Sequence, residues 1–523
     1  MAATDRVVQS PRVDRSDDRR DRSAADSGAG TRTIPSLGFV CGIVVVFACA
    51  MVGTAQLHDN SFFTHLATGR LLIDEGVGQL WGGMPDPYTF TSGGREWVVQ
   101  SWFASVLYAA AEDVAGAAGI RLLTAATCAA VGGLAWRLMR PADSLIPRVL
   151  LAGGVILVGA STWTSRPFMF GLLCLALTLL AAEGGLDPRW LVPVGWLWVN
   201  THGSFPLGVL AVVLLAAGRW LDGTRPDVEL RALRWSLVGI VFGGLVNPVG
   251  PKLLFFPVTM VARSEALSTI IEWQSPSFDS TWARVFLGVV LLGVISIARR
   301  PSYRAALPFA VFLALALVAQ RNVTVAMLVF LPGLSVAMAG LGSIEASARR
   351  PAFRLPALAL GALAPVLVVA SCLPGDFDLR GYPTAALDEL DRRGMLEGGA
   401  RVATQDYVGN LLSLSGGREA STFIDDRYEL HDEVLVDDYG ILFEGRPEWR
   451  EVLDRWDVDA VVWERDAPLG SLLLESDEWR VIYDDTTAPV PDDFTAEEWE
   501  QAVDAKAFVV ACRTDFAPCD EDR

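Results

Sequence analysis

The sequence predicts a mainly α fold: a polytopic membrane helical bundle of about eleven spans, followed by a C-terminal extracytoplasmic α/β domain. Several apolar runs approach the ~18–20 residues that a helix needs to cross a bilayer. Connections rich in Arg alternate with connections rich in acidic and aromatic residues. The charge is also uneven, because residues 374–523 hold 38 acidic and 14 basic residues in a chain of net charge −18.

The chain divides into three predicted segments. Residues 1–33 mix Arg, Asp and Ser and lack an apolar run, which is typical of a disordered tail. Residues 34–373 form the predicted transmembrane domain, and residues 374–523 form the acidic domain. Apolar runs predict spans over about 35–57, 117–139, 145–163, 168–184, 189–201, 205–221, 233–249, 283–298, 305–319, 322–341 and 355–373.

The distribution of Arg predicts how these spans are oriented in a cell membrane. Lys and Arg are enriched in the cytoplasmic loops of membrane proteins. If the N-terminus is cytoplasmic, so are the connections that contain Arg137, Arg140, Arg148, Arg189, Arg219, Arg225, Arg231, Arg234, Arg299, Arg300, Arg304, Arg349, Arg350 and Arg354. An odd number of spans then places residues 374–523 outside, on the same side as the long first outer loop, residues 58–116.

The first outer loop opens with an apolar pattern that predicts an amphipathic helix on the membrane surface. Asp59 stands at its start and has two interpretations. A carboxylate at a helix N-terminus caps the helix and favours its positive end. A carboxylate partly buried at the lipid boundary is also suited to act as a general base. The two roles are compatible.

Other polar residues of the outer face are candidates for substrate binding, because polar side chains are costly at membrane depth. Trp97 and Trp102 would stack on a sugar or anchor the loop in the interface. Arg166 would bind a phosphate or extend to the headgroups. The full set of candidates is His65, Asp86, Trp97, Trp102, Arg166, Asn200, His202, Glu272 and Arg321.

Three histidines of the outer face, His58, His65 and His202, raise the question of a metal. Together with Asp59 they would be able to bind a divalent cation such as Mg²⁺ or Mn²⁺. The sequence contains no tight metal-binding spacing, and isolated histidines are more often structural. A phosphate-binding loop and a dinucleotide fingerprint are also absent from the sequence, so an activated donor is expected to be carried by a lipid.

The acidic segment alternates short apolar runs with helical patterns, which predicts a small α/β domain. Strands are predicted over 401–404, 422–424, 460–463, 479–483 and 508–511, and helices over 382–396, 432–443 and 448–456. Asp425, Asp426 and Arg427 follow a strand end, either as functional groups or as a solvated loop held by a salt bridge. Cys512 and Cys519 are candidates for a disulfide. The acidic charge argues against nucleic acid as a partner.

Several of these residues form an ordered set. Its members are Asp59 with His65 and Gly69, Pro85-Asp86-Pro87, Ser101-Trp102, Arg166-Pro167, Asn200 with His202-Gly203, Asn247-Pro248 with Gly250, Glu272-Trp273 and, in the tail, Phe423-Ile424-Asp425-Asp426-Arg427. This set resembles bacterial polytopic membrane glycosyltransferases of the GT-C type. The resemblance covers most of the chain beyond residue 35.

The resemblance implies an outer catalytic cavity in a helical membrane body. It implies a donor sugar linked to polyprenyl phosphate, an acceptor in the cell envelope (lipid, glycan or protein) and inversion at the anomeric carbon. An acidic residue of the first outer loop acts as base in such enzymes, and Asp59 occupies that position. Related proteins often have a second acid two residues later, where this chain has Ser61. Arg166 and Arg321 are the candidates to hold the donor phosphate.

Two other functions remain open at this stage. A non-catalytic envelope scaffold would use the acidic tail as its binding surface, and the replacement of the second acid by Ser61 favours it. A transporter or flippase would show polar residues near the bilayer midplane and repeated halves. The sequence shows neither of these features, which makes the transporter the weaker alternative.

Overall fold

The computed structural model describes residues 34–263, 271–373, 377–396, 399–417, 422–491 and 494–519. The predicted N-terminal tail, residues 1–33, and the predicted domain boundary at residue 374 lie outside the described residues. The described chain is mostly helical, with a two-stranded sheet of β1 Met84–Pro85 and β2 Glu96–Trp97 and a four-stranded sheet near its C-terminal end. This agrees with the mainly α class that the apolar runs predict.

The membrane part consists of helices that follow one another through short connections. They are α1 Leu37–Val52, α2 Asn60–Asp74, α3 Trp102–Leu138, α4 Leu145–Gly159, α5 Phe168–Ala182, α6 Leu191–Thr201, α7 Phe205–Leu221, α8 Asp227–Leu245, α9 Lys252–Ala262, α10 Thr281–Arg299, α11 Tyr303–Val318, α12 Val323–Ala337 and α13 Arg354–Cys372. Each of the eleven predicted spans overlaps one of these helices, whereas α2 and α9 lie outside the predicted spans.

Three of the described helical segments are long and apolar enough to cross a membrane: Trp102–Leu138, Thr281–Arg299 and Pro351–Cys372. Other apolar helices are shorter, such as α4 and α5 with 15 residues each. A helix of 15 residues is only about 22 Å long, which is less than the ~30 Å hydrocarbon core. The count of eleven spans therefore stays a prediction.

The first outer loop ends earlier than predicted. Helix α3 begins at Trp102 and continues to Leu138, with a break in helical geometry at Ala115 and Gly116. Gly116 has a positive φ of 60°, a conformation that glycine adopts without steric cost. The predicted end of the loop, residue 116, is therefore a kink inside a longer helix rather than a helix start.

Helix α2 is buried by protein and does not lie on the membrane surface as predicted. Its apolar residues Phe62, Phe63 and Leu66 are fully buried. They pack between α3 and α15, Asp406–Gly416, of the C-terminal region. Gly69 permits the close approach of α3, because a Cβ at this position would stand 2.0 Å from the Ser105 carbonyl oxygen.

The C-terminal region is built on a four-stranded sheet with the order β3-β4-β6-β5. Strands β3 and β4 are parallel and the other pairs are antiparallel. The strands are β3 Val402–Thr404, β4 Ala460–Glu464, β5 Trp479–Asp484 and β6 Phe508–Arg513, all at predicted positions. The helices beside α15 are α14 Thr384–Arg392, α16 Glu433–Glu444, α17 Trp449–Arg455, α18 Pro468–Leu474 and α19 Ala496–Ala505.

The remaining predicted strand, residues 422–424, is a connecting segment rather than a strand. Thr422 forms isolated bridges with both Val402 and Thr89. The backbone N–H of Phe90 donates to the Thr422 carbonyl at 3.1 Å, and Thr91 Oγ1 donates to the Phe423 carbonyl at 2.5 Å. This segment therefore joins the C-terminal region to the first outer loop, and it positions residues 425–431 beside the membrane body.

Candidate functional site

A cavity of about 530 Å³ lies where the membrane helices meet the C-terminal region. Its lining comes from the start of α2, the α4–α5 connection, the loop before α3, and residues 426–429 after the bridging segment. Two short 3-10 turns, Ile271–Trp273 and Gln320–Asn322, complete the wall. The backbone of Gln320 donates to the carbonyl of Gln274 at 2.8 Å and holds these two turns together.

Most of the predicted site residues meet in this cavity, although they come from distant parts of the sequence. The predicted residues that line it are Asp59, His65, Trp97, Arg166, His202, Glu272 and Arg321. Three predicted residues, Asp86, Trp102 and Asn200, are absent from its lining. The first group therefore shares one cavity and the second does not, while the predicted outer position of all these residues stays a prediction.

Trp102 and Asn200 belong to the helix packing. Trp102 Nε1 donates to Asn200 Oδ1 at 2.8 Å, and the Asn200 amide donates to the Trp196 and Gly243 carbonyls at 2.7 and 3.3 Å. Asn200 is completely buried. These hydrogen bonds connect α3, α6 and α8, so the polar groups satisfy one another inside the protein instead of binding a substrate.

Asp86 is a buried structural acid. Its carboxylate accepts hydrogen bonds from the backbone N–H groups of Tyr88 and Thr89, both at 3.2 Å. It also pairs with Arg427 at 2.7 Å. Both side chains are almost completely buried, and the guanidinium lies 4.3 Å from the centre of the Trp97 ring. Asp86 therefore fixes the first outer loop to the C-terminal region.

Asp59 precedes α2 but makes no side-chain capping bond with the helix. Instead, Arg166 Nε lies 2.7 and 2.6 Å from its two oxygens, and Thr164 Oγ1 donates to Oδ2 at 2.8 Å. The same guanidinium pairs with Glu272 through Nη1. Asp59, Arg166 and Glu272 thus form one ionic group on the wall of the cavity, which replaces the capping interpretation.

Arg321 differs from Arg166 in its partners. Among the described residues it has no ion pair and no hydrogen bond to its side chain, and its guanidinium lies 4.6 Å from the centre of the Trp273 ring. Burial lowers the pKa of Arg321, an effect that the nearby Glu272 opposes. A guanidinium stacked on an aromatic ring keeps its donors available for a planar anionic group.

The two predicted histidines of the cavity are neutral at physiological pH. Burial and the positive charge of Arg166 lower the pKa of His65 to about 4. Burial and Arg321 lower the pKa of His202 to about 3, and its Nδ1 accepts a hydrogen bond from the Ser204 backbone at 3.2 Å. Both rings are suited to hydrogen bonding with a polar ligand rather than to carrying charge.

The consecutive residues Asp425, Asp426 and Arg427 have three different environments. Asp425 is buried with Arg427 and His431, whose Nε atoms lie 2.8 and 3.1 Å from its carboxylate. Asp426 lines the cavity and accepts a hydrogen bond from Ser61, in the first turn of α2. A salt bridge therefore joins Asp425 and Arg427, as one interpretation of this run expects, although both side chains are buried rather than solvated, and Asp426 lines the cavity.

The surroundings of Asp426 raise the pKa of its carboxyl group. Burial raises its pKa to about 7, and the negative charges of Asp425 and Asp406 act in the same direction. The hydrogen bond from Ser61 and the positive charge of Arg166 oppose this rise. A carboxylic acid that titrates near neutral pH inside a cavity is a frequent feature of functional sites.

The arrangement does not fit a divalent cation. Arg166 contacts both Asp59 and Glu272, so its guanidinium already stands where a cation shared by these two carboxylates would bind. In the part of the chain that the structure describes, no group of three or more His, Cys, Asp or Glu side chains is arranged to hold a metal ion. The fixed positive charge at this point of the cavity is therefore that of Arg166.

Comparison with known proteins gives a fold-level similarity alone. No family model and no curated protein matches the chain. Solved structures that match include an apo oligosaccharyltransferase from Archaeoglobus fulgidus, with 11% identity over 81% of this chain and 69% of that chain and a TM-score of 0.45. The oligosaccharyltransferase AglB from the same organism, in complex with an inhibitory peptide and a dolichol-phosphate, matches with 12% identity over 87% and 75% and a TM-score of 0.47.

A mycobacterial arabinofuranosyltransferase, AftD, matches with 14% identity over 93% of this chain and a TM-score of 0.47. This chain spans 42% of the length of that protein. The names of these structures are those of sugar transferases, the kind of enzyme that the resemblance in the sequence indicates. TM-scores below 0.5 carry no argument about the reaction, so the proposals below rest on the site.

Proposed function

We propose that this chain is an integral membrane glycosyltransferase that moves a sugar from a polyprenyl-phosphate donor to a cell-envelope acceptor on the outer face, with inversion. One observation carries the proposal. In a single cavity, Arg321, which has no ion pair among the described residues, shares the wall with the carboxylates of Asp59, Glu272 and Asp426. A cation for a leaving phosphate and a carboxylate for an acceptor proton are the two groups that this transfer requires.

Arg321 is the proposed anchor of the donor phosphate. Arg166 is less available, because Asp59 and Glu272 already neutralise it. A guanidinium matches the geometry of phosphate oxygens, and hydrogen bonds between two charged groups are roughly twice as strong as neutral ones. Arg166 then contributes its charge from the opposite side of the cavity without leaving its two carboxylates.

Helix α9 offers a path for the lipid chain of the donor. Phe256 of this helix lines the cavity. The neighbouring residues Phe255, Val258 and Val261 are about two-thirds exposed. An exposed apolar strip beside a polar cavity suits a ligand with a charged head and a long hydrocarbon tail, because the tail then avoids water. A donor with a lipid chain also agrees with the proposed multi-pass position of this protein in the cell membrane.

The aromatic and neutral polar residues of the cavity are the proposed sugar contacts. Trp97 lines the wall beside His65 and His202, both of which are neutral. An aromatic face packs against the apolar face of a sugar ring, while imidazole nitrogens exchange hydrogen bonds with its hydroxyl groups. The identity of the sugar is set by which hydroxyl groups these residues can reach.

In the proposed reaction an acceptor oxygen attacks the anomeric carbon, and the bond from that carbon to the phosphate oxygen breaks. The electron pair leaves with the phosphate, whose charge Arg321 stabilises. A carboxylate of the cavity takes the acceptor proton. Sequence reasoning proposes Asp59 for this role, and Asp426 is the second carboxylate of the cavity that is close to α2.

The test uses the purified full chain in lipid vesicles with a radiolabelled polyprenyl-phosphate sugar and an envelope lipid and glycan extract. We expect the label to move into the acceptor fraction, and we expect free polyprenyl phosphate to inhibit the transfer. Protein-free vesicles are the control. The proposal is wrong if a nucleotide sugar is the donor that supports transfer, or if no donor does while the intact protein binds an envelope partner as a scaffold would.

A further inference from the structure

We infer that Asp426, supplied by the C-terminal region, accepts the acceptor proton in the transfer, and that Asp59 is a positioning residue for Arg166. This inference rests on the proposed function and names the group that performs its proton transfer. It follows from the contacts of the two carboxylates and from the hydrogen bond between Ser61 and Asp426.

Asp59 is engaged on both oxygens. Arg166 Nε bridges Oδ1 and Oδ2, and Thr164 Oγ1 donates to Oδ2 at 2.8 Å. Protonation of Asp59 would break this ion pair and leave Glu272 as the one acid in contact with Arg166 among the described residues. A carboxylate in direct contact with a cation loses that contact when it takes a proton, so Asp59 is less suited to accept the proton than a carboxylate without a cation.

Asp426 is engaged far less. Its carboxylate accepts one hydrogen bond, from the hydroxyl of Ser61, among the side chains that the structure describes. Its backbone N–H donates to Asn410 Oδ1 at 3.3 Å, and the same oxygen accepts from Thr64 Oγ1 at 2.6 Å. Residues of α2 and α15 therefore fix the position of Asp426, whose side chain lines the cavity and has no cation in contact among the described residues.

Ser61 connects helix α2 with the Asp426 carboxylate of the C-terminal region. Ser61 stands two residues after Asp59, in the first turn of α2. Its hydroxyl donates a hydrogen bond to Asp426 and adds no charge beside it. An acid at this position would instead place a second negative charge against Asp426.

The charges around Asp426 keep its carboxylate basic enough to accept the proton of the acceptor. The ionisable groups that face it are Asp425 and Asp406 of its own domain, Tyr382, Tyr428 and, across the cavity, Arg166. Arg427 is not available to neutralise it, because Asp425 and Asp86 hold that guanidinium. Burial raises the pKa of Asp426 to about 7, and a general base is most effective when its pKa lies near the working pH.

The step balances without any other reagent. The acceptor O–H bond breaks as its oxygen forms the new bond to the anomeric carbon. The proton moves to a carboxylate oxygen of Asp426, and the bond between the anomeric carbon and the phosphate oxygen breaks with its electron pair on the phosphate. Asp426 then releases the proton to water through the open side of the cavity.

The experiment measures kcat and donor KM against pH for wild type, Asp426→Asn, Asp59→Asn and Ser61→Ala. We expect wild-type kcat to rise with pH up to about 7 and then level off. Asp426→Asn should lower kcat by roughly 10²–10⁴-fold, remove this inflection and leave donor KM unchanged. Asp59→Asn should raise donor KM and keep the inflection. Ser61→Ala should move the inflection to higher pH, because the Ser61 hydrogen bond lowers the pKa of Asp426.

The outcomes separate the two proposals. If wild type transfers no sugar from a lipid donor, the proposed function is wrong and the inference falls with it. If wild type transfers sugar and Asp59→Asn removes the inflection while Asp426→Asn keeps it, Asp59 is the base and the inference alone is wrong. Asp426→Glu controls for folding, since it keeps the carboxyl group and should restore a measurable pH-dependent rate that Asp426→Asn lacks.

Discussion

On the membrane-body wall of the cavity, Asp59 is held by Arg166 and Thr164, and Glu272 shares the same guanidinium. On the wall formed by the C-terminal region, Asp426 accepts a hydrogen bond from Ser61 and has no guanidinium of its own among the described residues. The two walls therefore present carboxylates of the same type with different amounts of compensating charge. The first is built to keep a cation in place, and the second is built to exchange a proton.

Asp425 and Asp426 show that burial does not by itself decide how a carboxylate titrates. Burial raises the pKa of both groups. For Asp425, the charges of Arg427 and His431 outweigh burial and lower its pKa below the usual range. For Asp426, the charge of Arg166 does not outweigh burial, and the pKa stays raised. Two adjacent residues in one loop thus become a permanent anion and a titratable acid, depending on whether a cation lies in contact.

The largest effect should come from Arg427→Met. This change leaves the buried carboxylates of Asp86 and Asp425 without their cation, and it breaks the link between the first outer loop and the C-terminal region. Removing one partner of a buried ion pair costs about 3–5 kcal/mol. We expect a large fall in the melting temperature of the detergent-solubilised protein.

The matched control for that change is Arg446→Met, also in the C-terminal region. Arg446 pairs with Glu444, and both side chains are about half exposed or more. Exposed ion pairs are screened by water and contribute little to stability, so the melting temperature should stay near that of wild type. Equal losses in the two variants would contradict the view that buried ionic contacts hold the two walls together.

The second effect in size concerns Arg321→Ala. Hydrogen bonds to charged groups contribute about 1.5–3 kcal/mol, so the loss of the phosphate anchor should weaken donor binding by roughly 10–100-fold. Arg284→Ala is the control, because Arg284 lies at the start of α10 outside the cavity and donates to the Phe278 carbonyl at 2.9 Å. An unchanged donor KM in Arg321→Ala would remove Arg321 as the anchor.

The third effect tests on which side of the membrane the C-terminal region lies. Cys512 and Cys519 form a disulfide over a separation of seven residues. Such bonds persist in oxidising compartments, which fits the predicted outer position. Because both cysteines are buried, the chain is denatured directly from intact cells, and a maleimide that carries a mass tag should then modify this pair after reduction and not before. Closure of so short a loop contributes about 2–3 kcal/mol, so Cys512→Ser should lower the melting temperature moderately.

Free thiols at these two positions in cells, with no reductant added, would place the tail in the cytoplasm and reverse the orientation. The control for the labelling is Cys372, which ends α13 and is buried. Its reactivity should be the same before and after reduction. A Cys372 that stays unmodified in both samples would instead indicate that denaturation was incomplete.

The smallest effect is a gain in stability for Asp426→Asn. The folded state holds the Asp426 proton up to about pH 7, whereas the unfolded chain releases it near pH 4, so this group reduces stability as pH rises between these values. Asn removes that loss. The variant should melt about 2–4 °C above wild type at pH 8, and the difference should be smaller at pH 5. A difference that does not vary with pH would show that Asp426 is not buried with a raised pKa.

Sequence reasoning located much of this site because the cavity collects residues from connections on one predicted face. The alternation of Arg-rich and polar connections places Asp59, Arg166, Glu272 and Arg321 on one predicted face. In the structure Arg166 contacts Asp59 and Glu272, and Arg321 lines the same cavity. The orientation of that face relative to the cell stays a prediction. Its residues are nevertheless assembled at one place, as the pattern requires.

The failures have a common cause in long-range contacts. Asn200 was a candidate because amides are costly in a membrane, yet Trp102 and two backbone carbonyls satisfy it. Asp86 has its cation in Arg427, far along the sequence. The role of Asp426 stays open between two interpretations in the sequence, because its partner, Ser61, lies 365 residues earlier. Local pattern carries no information on such pairs, whereas the helix and strand positions depend on neighbouring residues and were predicted well.

The most direct test of the account is an electron cryomicroscopy structure of the wild-type chain in lipid with polyprenyl phosphate bound. We expect the phosphate in the cavity within hydrogen-bonding distance of Arg321, and the first isoprene units along α9 beside Phe256. Asp426 should face the open space next to the phosphate, with Arg166 still between Asp59 and Glu272. A phosphate bound outside this cavity, or one held by Arg166 after release of Asp59, would contradict the account.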